Sequence, residues 1–338
     1  MRPAPFLLAL GIFLVQAQQP GSTRIGKIEF YGTHGIDVAA VKKNLVIHEG
    51  EQMPAFDQPS LQKFADGIKQ AVEKATGGRP PTNVNPNCCD EKGDWIIYIG
   101  LPGGASGESI HYNLAPIGNE TLPVEMLKVD RQLLDASMQA VQKGAGAEDD
   151  SKGYALSVDS NLKARQLELR RLALASEKQV YAVLEKSSKA DQRATAARAA
   201  GYLDATPHQL EALLHASHDP DPDTRNNAVR ALGVIAASGR KVPPAPFIEL
   251  LRSGVWTDRN KGLFVLLPIT AARDPQTLEA IRRGALEELI EMARWRTPGH
   301  NYPARVILGR IARIDEAKLH KMIEAGQVTE ITAALPKS

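Results

Sequence analysis

Cysteine is almost absent, with 2 residues in 338, which excludes a disulfide-stapled scaffold and any four-cysteine zinc site. Aromatic residues make up only 5%, and neither sign of charge dominates: 41 Lys+Arg stand against 39 Asp+Glu, a formal net charge of +2. Long hydrophobic runs are missing as well. Apart from residues 6–15, no stretch approaches the roughly twenty apolar residues that a bilayer span requires. The motifs of familiar catalytic centres are lacking too: there is no His-Glu-x-x-His, no Gly-x-Ser-x-Gly and no dinucleotide fingerprint. No acid/base pair stands out either, so neither an enzyme nor a cofactor is expected. What is present is an ordinary globular balance, 43% apolar and 24% charged, in a chain long enough for two or three domains. The two halves differ in kind. Residues 1–150 carry 13 Lys+Arg against 18 Asp+Glu, and residues 151–338 carry 28 against 21.

The N-terminus reads as a targeting signal over residues 1–17. Arg2 precedes a short apolar run, and Val15-Gln16-Ala17 offers the small-x-small pattern of a cleavage site, so a mature chain starting near Gln18 is expected. The alternatives are an uncleaved anchor or a buried first helix. Export implies a secreted protein, periplasmic where the source is a two-membrane bacterium.

Residues 24–101 predict a small α+β domain. Ile25-Gly26-Lys27-Ile28-Glu29-Phe30 alternates as a half-buried strand does. Asp37 can cap a short helix with Val38, Val41 and Leu45 on one face, and Pro59-Ser60 opens a second, with Leu61, Phe64, Ile68 and Val72 inward, that stops at Gly77-Gly78. Two extended pieces follow, 82–89 and 95–101. This β-α-α-β-β order, with Ile-x-x-Ile-x-Phe-x-Gly at its start and Glu49-Gly50 before the second helix, resembles a POTRA domain. The resemblance implies a periplasmic protein-binding module of outer-membrane assembly or secretion. Cys88 and Cys89 are neighbours, and strand alternation would send one thiol inward and the other outward. A strained vicinal disulfide or a redox role is the other reading.

Residues 102–160 are expected to be a linker with one helix. Pro102-Gly103-Gly104 and the residues after it lack the Gly-Lys-Ser/Thr ending of a phosphate cradle and read as a turn. Residues 123–141 read as a helix with Met126, Leu133, Leu134, Met138 and Val141 available for packing. Glu148-Asp149-Asp150 reads as a solvated loop rather than a calcium site, because no glycine-spaced ligand loop follows.

Residues 161–333 carry the strongest signal, a pattern that recurs every 32–42 residues or so. Asp191-Gln192-Arg193-Ala194-Thr195-Ala196-Ala197 aligns with Asp223-Thr224-Arg225-Asn226-Asn227-Ala228-Val229, Asp258-Arg259-Asn260-Lys261-Gly262-Leu263 repeats it, and Ala304-Arg305-Val306-Ile307-Leu308-Gly309-Arg310-Ile311 repeats its ending. Another helical stretch precedes each copy, at 179–184, 208–215, 245–251 and 278–295. Asp219-Pro220-Asp221-Pro222-Asp223-Thr224-Arg225, followed by Ala228 and Leu232-Gly233, resembles the helix-turn-helix unit of HEAT repeats. The resemblance implies an all-α solenoid in which Asp191, Arg193, Asp223, Arg225 and Asp258 form a ladder between stacked units. Stacking is required because one helix pair cannot bury its own apolar stripe.

His208, His215 and His218 fall on one helical face opposite Leu210, Leu213 and Leu214, where solvated histidines are ordinary and no metal is expected. His300, beside Trp295 and Arg294, reads as a packing or partner-contact residue. In HEAT-like arrays second helices line the concave face, which would present Asn226, Asn227, Arg230, Arg259, Asn260, Lys261, Arg294 and Arg296. That donor-rich surface suits an acidic protein or peptide segment, the alternative being a merely solvated basic face. The expected function is therefore an exported, non-enzymatic scaffold or adaptor that binds a protein or peptide and no nucleic acid. The rivals are an enzyme using the groove, as HEAT-like lyases do, and an assembly adaptor acting through the POTRA-like module.

Overall fold

A computed structural model describes residues 24–55, 57–104 and 110–336. The expected signal segment, residues 1–17, lies outside them. The first module runs β1 (Ile25–Tyr31), α1 (Val38–Asn44), α2 (Gln58–Thr76), β2 (Asn83–Asn87) and β3 (Trp95–Gly100). Its sheet order is β1-β3-β2, with β1 parallel and β2 antiparallel to β3. The local chemistry is as expected. The Asp37 carboxylate accepts from Ala40 N at the start of α1, Asp57 caps α2 in the same way, and Gly77 takes the left-handed conformation that ends it. Ile25, Ile28, Phe30, Val41, Ile68, Val72, Ile97 and Ile99 close a core between the helices and one face of the sheet. Strand β2 ends at Asn87, so alternation does not reach the cysteines. Cys88 and Cys89 are joined to each other as a vicinal disulfide rather than split between core and solvent.

The remaining helices are α3 (Val124–Gln142), α4 (Ser160–Ala175), α5 (Glu177–Lys186), α6 (Ala190–Ala200), α7 (Pro207–Ala216), α8 (Pro222–Ala237), α9 (Ala245–Leu250), α10 (Trp256–Ile269), α11 (Pro275–Ala293), α12 (Pro298–Ile311), α13 (Glu316–Glu324) and α14 (Val328–Ala333). A short hairpin, β4 (Glu148–Asp149) and β5 (Leu156–Ser157), joins α3 to α4. The second helices of successive units stack directly, α6 on α8 on α10 on α12. Ala196, Ala199, Ala228 and Ala231 are all buried at these contacts, where small side chains let helix axes approach closely. Among the described residues no helix is long and apolar enough to cross a membrane.

A ladder runs up the turns between paired helices. Arg193 donates to both Asp219 oxygens at 2.8 Å and to Ser187 O at 2.9 Å. Arg225 clasps Asp258 through two bonds of 3.0 Å and donates to Asp219 O at 2.8 Å. Arg259 bonds Ser253 O at 2.6 Å and Glu291 at 3.0 Å, and Asn301 donates to Trp295 O at 2.7 Å. Each rung thus tethers the carbonyl six residues back, and the arginines also reach an acid of the next unit. The acids are Asp219, Asp258 and Glu291. Asp191 and Asp223, expected as rungs, instead stand exposed in the first turns of α6 and α8, where a carboxylate favours the helix dipole.

Residues 102–160 depart furthest from the expected linker. Met126, Val129, Leu133, Ala136 and Ala140 of α3 are buried in the same core as the array, whereas Leu134, Met138 and Val141 are exposed. Residues 110–122 form a strap that runs back along the ladder edge. Tyr112 lies under the Arg225 guanidinium at 3.9 Å and donates to Asp258. Asn113 bonds the carbonyls of His218 and His215, Gly118 exchanges bonds with Lys186 and Ser188, and Leu122 N donates to Gln192. The contacts run from the α8–α10 rung at Tyr112, through the end of α7 at Asn113, to the α5–α6 unit at Gly118 and Leu122.

Candidate binding surface

The first module docks on the turns that lead into α10 and α12. Tyr98 of β3 stacks on Trp256 at 4.7 Å and meets Trp295 edge-on at 5.0 Å, and its hydroxyl lies 2.6 Å from His300 Nδ1. Trp295 Nε1 donates to Phe30 O, Tyr31 OH and Thr82 OH donate to Gly254 O, and Glu291 accepts from Gly32 N and Thr33 N. Arg296 bonds both Glu29 and Glu49, and its own backbone N–H donates to Glu29. These contacts hold Tyr31, Ile96 and Tyr98 in the core of the array. His300 is a packing residue of this junction, as one of its two expected roles had it.

Burial, and then the Lys261 charge, push the His300 imidazole down to about 4. The folded state therefore favours the neutral ring. Stability from this group is complete above the ordinary histidine pKa of about 6.5 and falls away as the pH drops toward about 4, by on the order of 3 kcal/mol. Urea unfolding of wild type should weaken between pH 7 and pH 4 more than that of His300→Phe. An equal loss in both proteins would place the acid sensitivity elsewhere.

The other histidines lie apart from this junction. His208 packs on the Tyr181 ring at 4.1 Å, His218 lies 3.5 Å from Glu249, and His215 is exposed.

The second-helix surface is more heavily occupied than its sequence suggests. Arg259 is buried in the ladder, and Asn227 is buried with its amide donating to Ala194 O. Asn260 is also buried, and its Oδ1 has no hydrogen-bond partner. Arg296 is committed to Glu29 and Glu49, and Arg230 is paired with Glu148 of the β4–β5 hairpin. Asn226 is partly buried against Asn227, and Arg294 is exposed. Lys261 is partly buried on α10 and has neither a hydrogen bond nor an ion pair with any described residue; the side chain of Arg294 has none either, but it stands in solvent. Burial, reinforced by Arg230, lowers the Lys261 ammonium to about 8. Phe264, one turn further along α10, leaves 42% of its surface exposed. A partly buried cation with no ion pair among the described residues thus stands beside a partly open aromatic ring on this face.

Sequence reasoning missed the acids that close the ladder at Glu291, the strap residue Tyr112, and the hairpin over Arg230. A clue to the last was the acidic run at residues 148–150, immediately before the basic array in the sequence.

Among curated proteins none matches this chain. Of solved structures, the designed armadillo repeat protein YIII(Dq)4CqI is similar, at 16% identity over 62% of this chain and 97% of that one, with a TM-score of 0.34. The family described as HEAT repeats matches residues 177–263, the segment that holds α5 to the first half of α10 and two of the arginine rungs together with Arg259. Paired helices, a stacked second-helix layer, a side-chain ladder at the turns and that match together make the C-terminal part of this chain a HEAT-like helical repeat array.

Proposed function

We propose that this chain is an exported, non-enzymatic scaffold whose repeat array binds a protein or peptide segment on its second-helix face, at Lys261 and Phe264 of α10. Helical repeat arrays typically present extended surfaces for protein partners. The observation that carries the reading is Lys261. An amine held partly out of water with no ion pair among the described residues favours arrival of a carboxylate, and Phe264 beside it offers apolar area to the same segment. The partner is accordingly an acidic segment with a hydrophobic residue. The signal-like N-terminus supports export, and the periplasm where the cell has two membranes. The β-α-α-β-β order with sheet order β1-β3-β2 supports a POTRA-like first module. That module is seated firmly on the array, so it would act as part of one rigid binding body.

Capture from the native envelope fraction tests this. Tagged wild type should retain a partner, and Lys261→Glu with Phe264→Ala should reduce the retained amount at least tenfold while leaving the helical circular-dichroism signal unchanged. Raising salt should weaken wild-type capture, because charge contacts are screened beyond about 8 Å at 0.15 M. Equal capture by variant and wild type would sink the α10 site. Turnover of a small molecule by the pure protein would sink the non-enzymatic reading.

A further inference from the structure

The β4–β5 hairpin places two acidic residues, Glu148 and Asp150, against a basic helical face, while Asp149 between them stands in solvent. Glu148 forms an ion pair with Arg230 and accepts a hydrogen bond from Gln166 Nε2 at 2.7 Å. Behind them, Arg198, Tyr202 and Arg230 line two cavities, one of about 70 Å³ and so roomy enough for more than one water. The hairpin is unevenly held. Its second strand is rooted: Ala155, Leu156 and Ser157 are buried, Ser157 N donates to Gln166 at 2.6 Å, and the Arg170 guanidinium covers the Tyr154 ring at 4.2 Å. The acidic strand is attached through the Glu148 side chain, the backbone pairings of Glu148 with Ser157 and Asp149 with Leu156, and a bond from Val158 N to Ala147 O at 3.1 Å.

Asp150 makes the closed arrangement costly. Its Oδ1 is buried without a hydrogen-bond partner. Burial and the neighbouring Glu148 charge raise its carboxyl to about 6, against the pull of Arg230. At neutral pH the hairpin therefore keeps an ionised, undonated carboxylate partly out of water, a condition that opening relieves.

We infer that the arm 147–153 is an internal stand-in for an acidic partner segment: Glu148 occupies Arg230 until the partner's carboxylates displace it. Displacement would leave Arg230 beside the unpaired Lys261, lengthening the cationic stretch along α8 and α10. This inference rests on the proposed function and adds a gate to it. The chemistry of the occupant follows from what sits there now, a pair of carboxylates on a short extended strand, so the partner offers glutamates or aspartates in an extended segment.

The test uses the full chain and fluorescein-labelled octaglutamate as probe. The variant Glu148→Gln keeps the acceptor for Gln166, removes the charge that holds Arg230 and leaves Asp150 ionised. It should bind the probe about tenfold more tightly than wild type. Hydrogen exchange should show faster exchange in residues 147–153 of that variant, and also of wild type saturated with probe, with the array helices unchanged. Suppose the probe binds wild type and variant equally, the arm keeps its protection, and Lys261→Glu still abolishes binding. The stand-in is then refuted while the α10 site survives. A probe that binds neither protein refutes both the stand-in and an acidic partner. Loss of array protection in the variant would identify the hairpin as a structural clasp and likewise overturn the gate.

Discussion

Arg225→Ala is expected to destabilise the array by about 3–5 kcal/mol in urea unfolding, the cost typical of stripping one partner from a buried ion pair. The size follows from what the arginine leaves behind. Asp258 is 1% exposed, so its carboxylate cannot turn to water, and it would keep only the Ser253 and Tyr112 hydroxyls as donors. Two further acceptors, the carbonyls of Asp219 and Pro220, lose their donor, and the Tyr112 ring loses the cation above it. The strap should therefore loosen together with the stacking of α8 on α10, and proteolysis near residues 110–118 should accelerate. Adding Asp258→Asn should restore part of the stability, because the remaining group is then neutral. A loss below about 1 kcal/mol would mean that the pair is dispensable and the stack is held by its alanine and leucine contacts alone.

Trp295→Ala should cost a similar amount, about 3–5 kcal/mol, as large-to-small changes at filled aromatic sites do. Trp295 is 2% exposed, meets Tyr98 edge-on and ties its indole N–H to the Phe30 carbonyl. It therefore joins the first module to the array from the array's side. Removing it should free β1 from the turn before α12, and hydrogen exchange should rise at residues 28–33 before it rises in α6 and α8. Uniform loss of protection throughout the chain would instead show that module and array unfold as one cooperative unit. The same junction explains why charge reversal at Arg259 or Arg296 would test folding before it tested binding: one is a ladder rung and the other clamps Glu29 and Glu49.

Local patterns carried a good deal of this molecule. The start of α1 was legible because its cap is short-range chemistry, Asp37 accepting from a backbone N–H three residues on; Asp57, Thr206 and Asp221 cap their helices in the same way, though sequence reasoning did not single them out as caps. The repeat was legible because Arg193, Arg225 and Arg259 sit at matching places beside small buried residues. Their partners were harder to read. A ladder acid has to reach the arginine of the preceding unit, and whether Asp219 or Asp223 does so depends on how the units stack, which spacing along one chain leaves open. The linker was misjudged for a related reason. Proline, glycine and polar residues at 110–122 do suit an irregular path, but an irregular path can be pinned as firmly as a helix when each backbone group meets a turn of the array.

The amino-acid sequence by itself determined the two-part plan, an α+β module and an array of helix pairs, because hydrophobic period, caps and repeated arginines act within a few residues or one repeat. Only the tertiary structure decided which cations remain available. Arg230, Arg259 and Arg296 resemble Lys261 in sequence, yet each is paired with an acid between 32 and 267 residues away, whereas Lys261 forms no ion pair with a described residue. Attraction between charges depends on separation in space and on exclusion of water, and both are set by the packing of the chain rather than by its order.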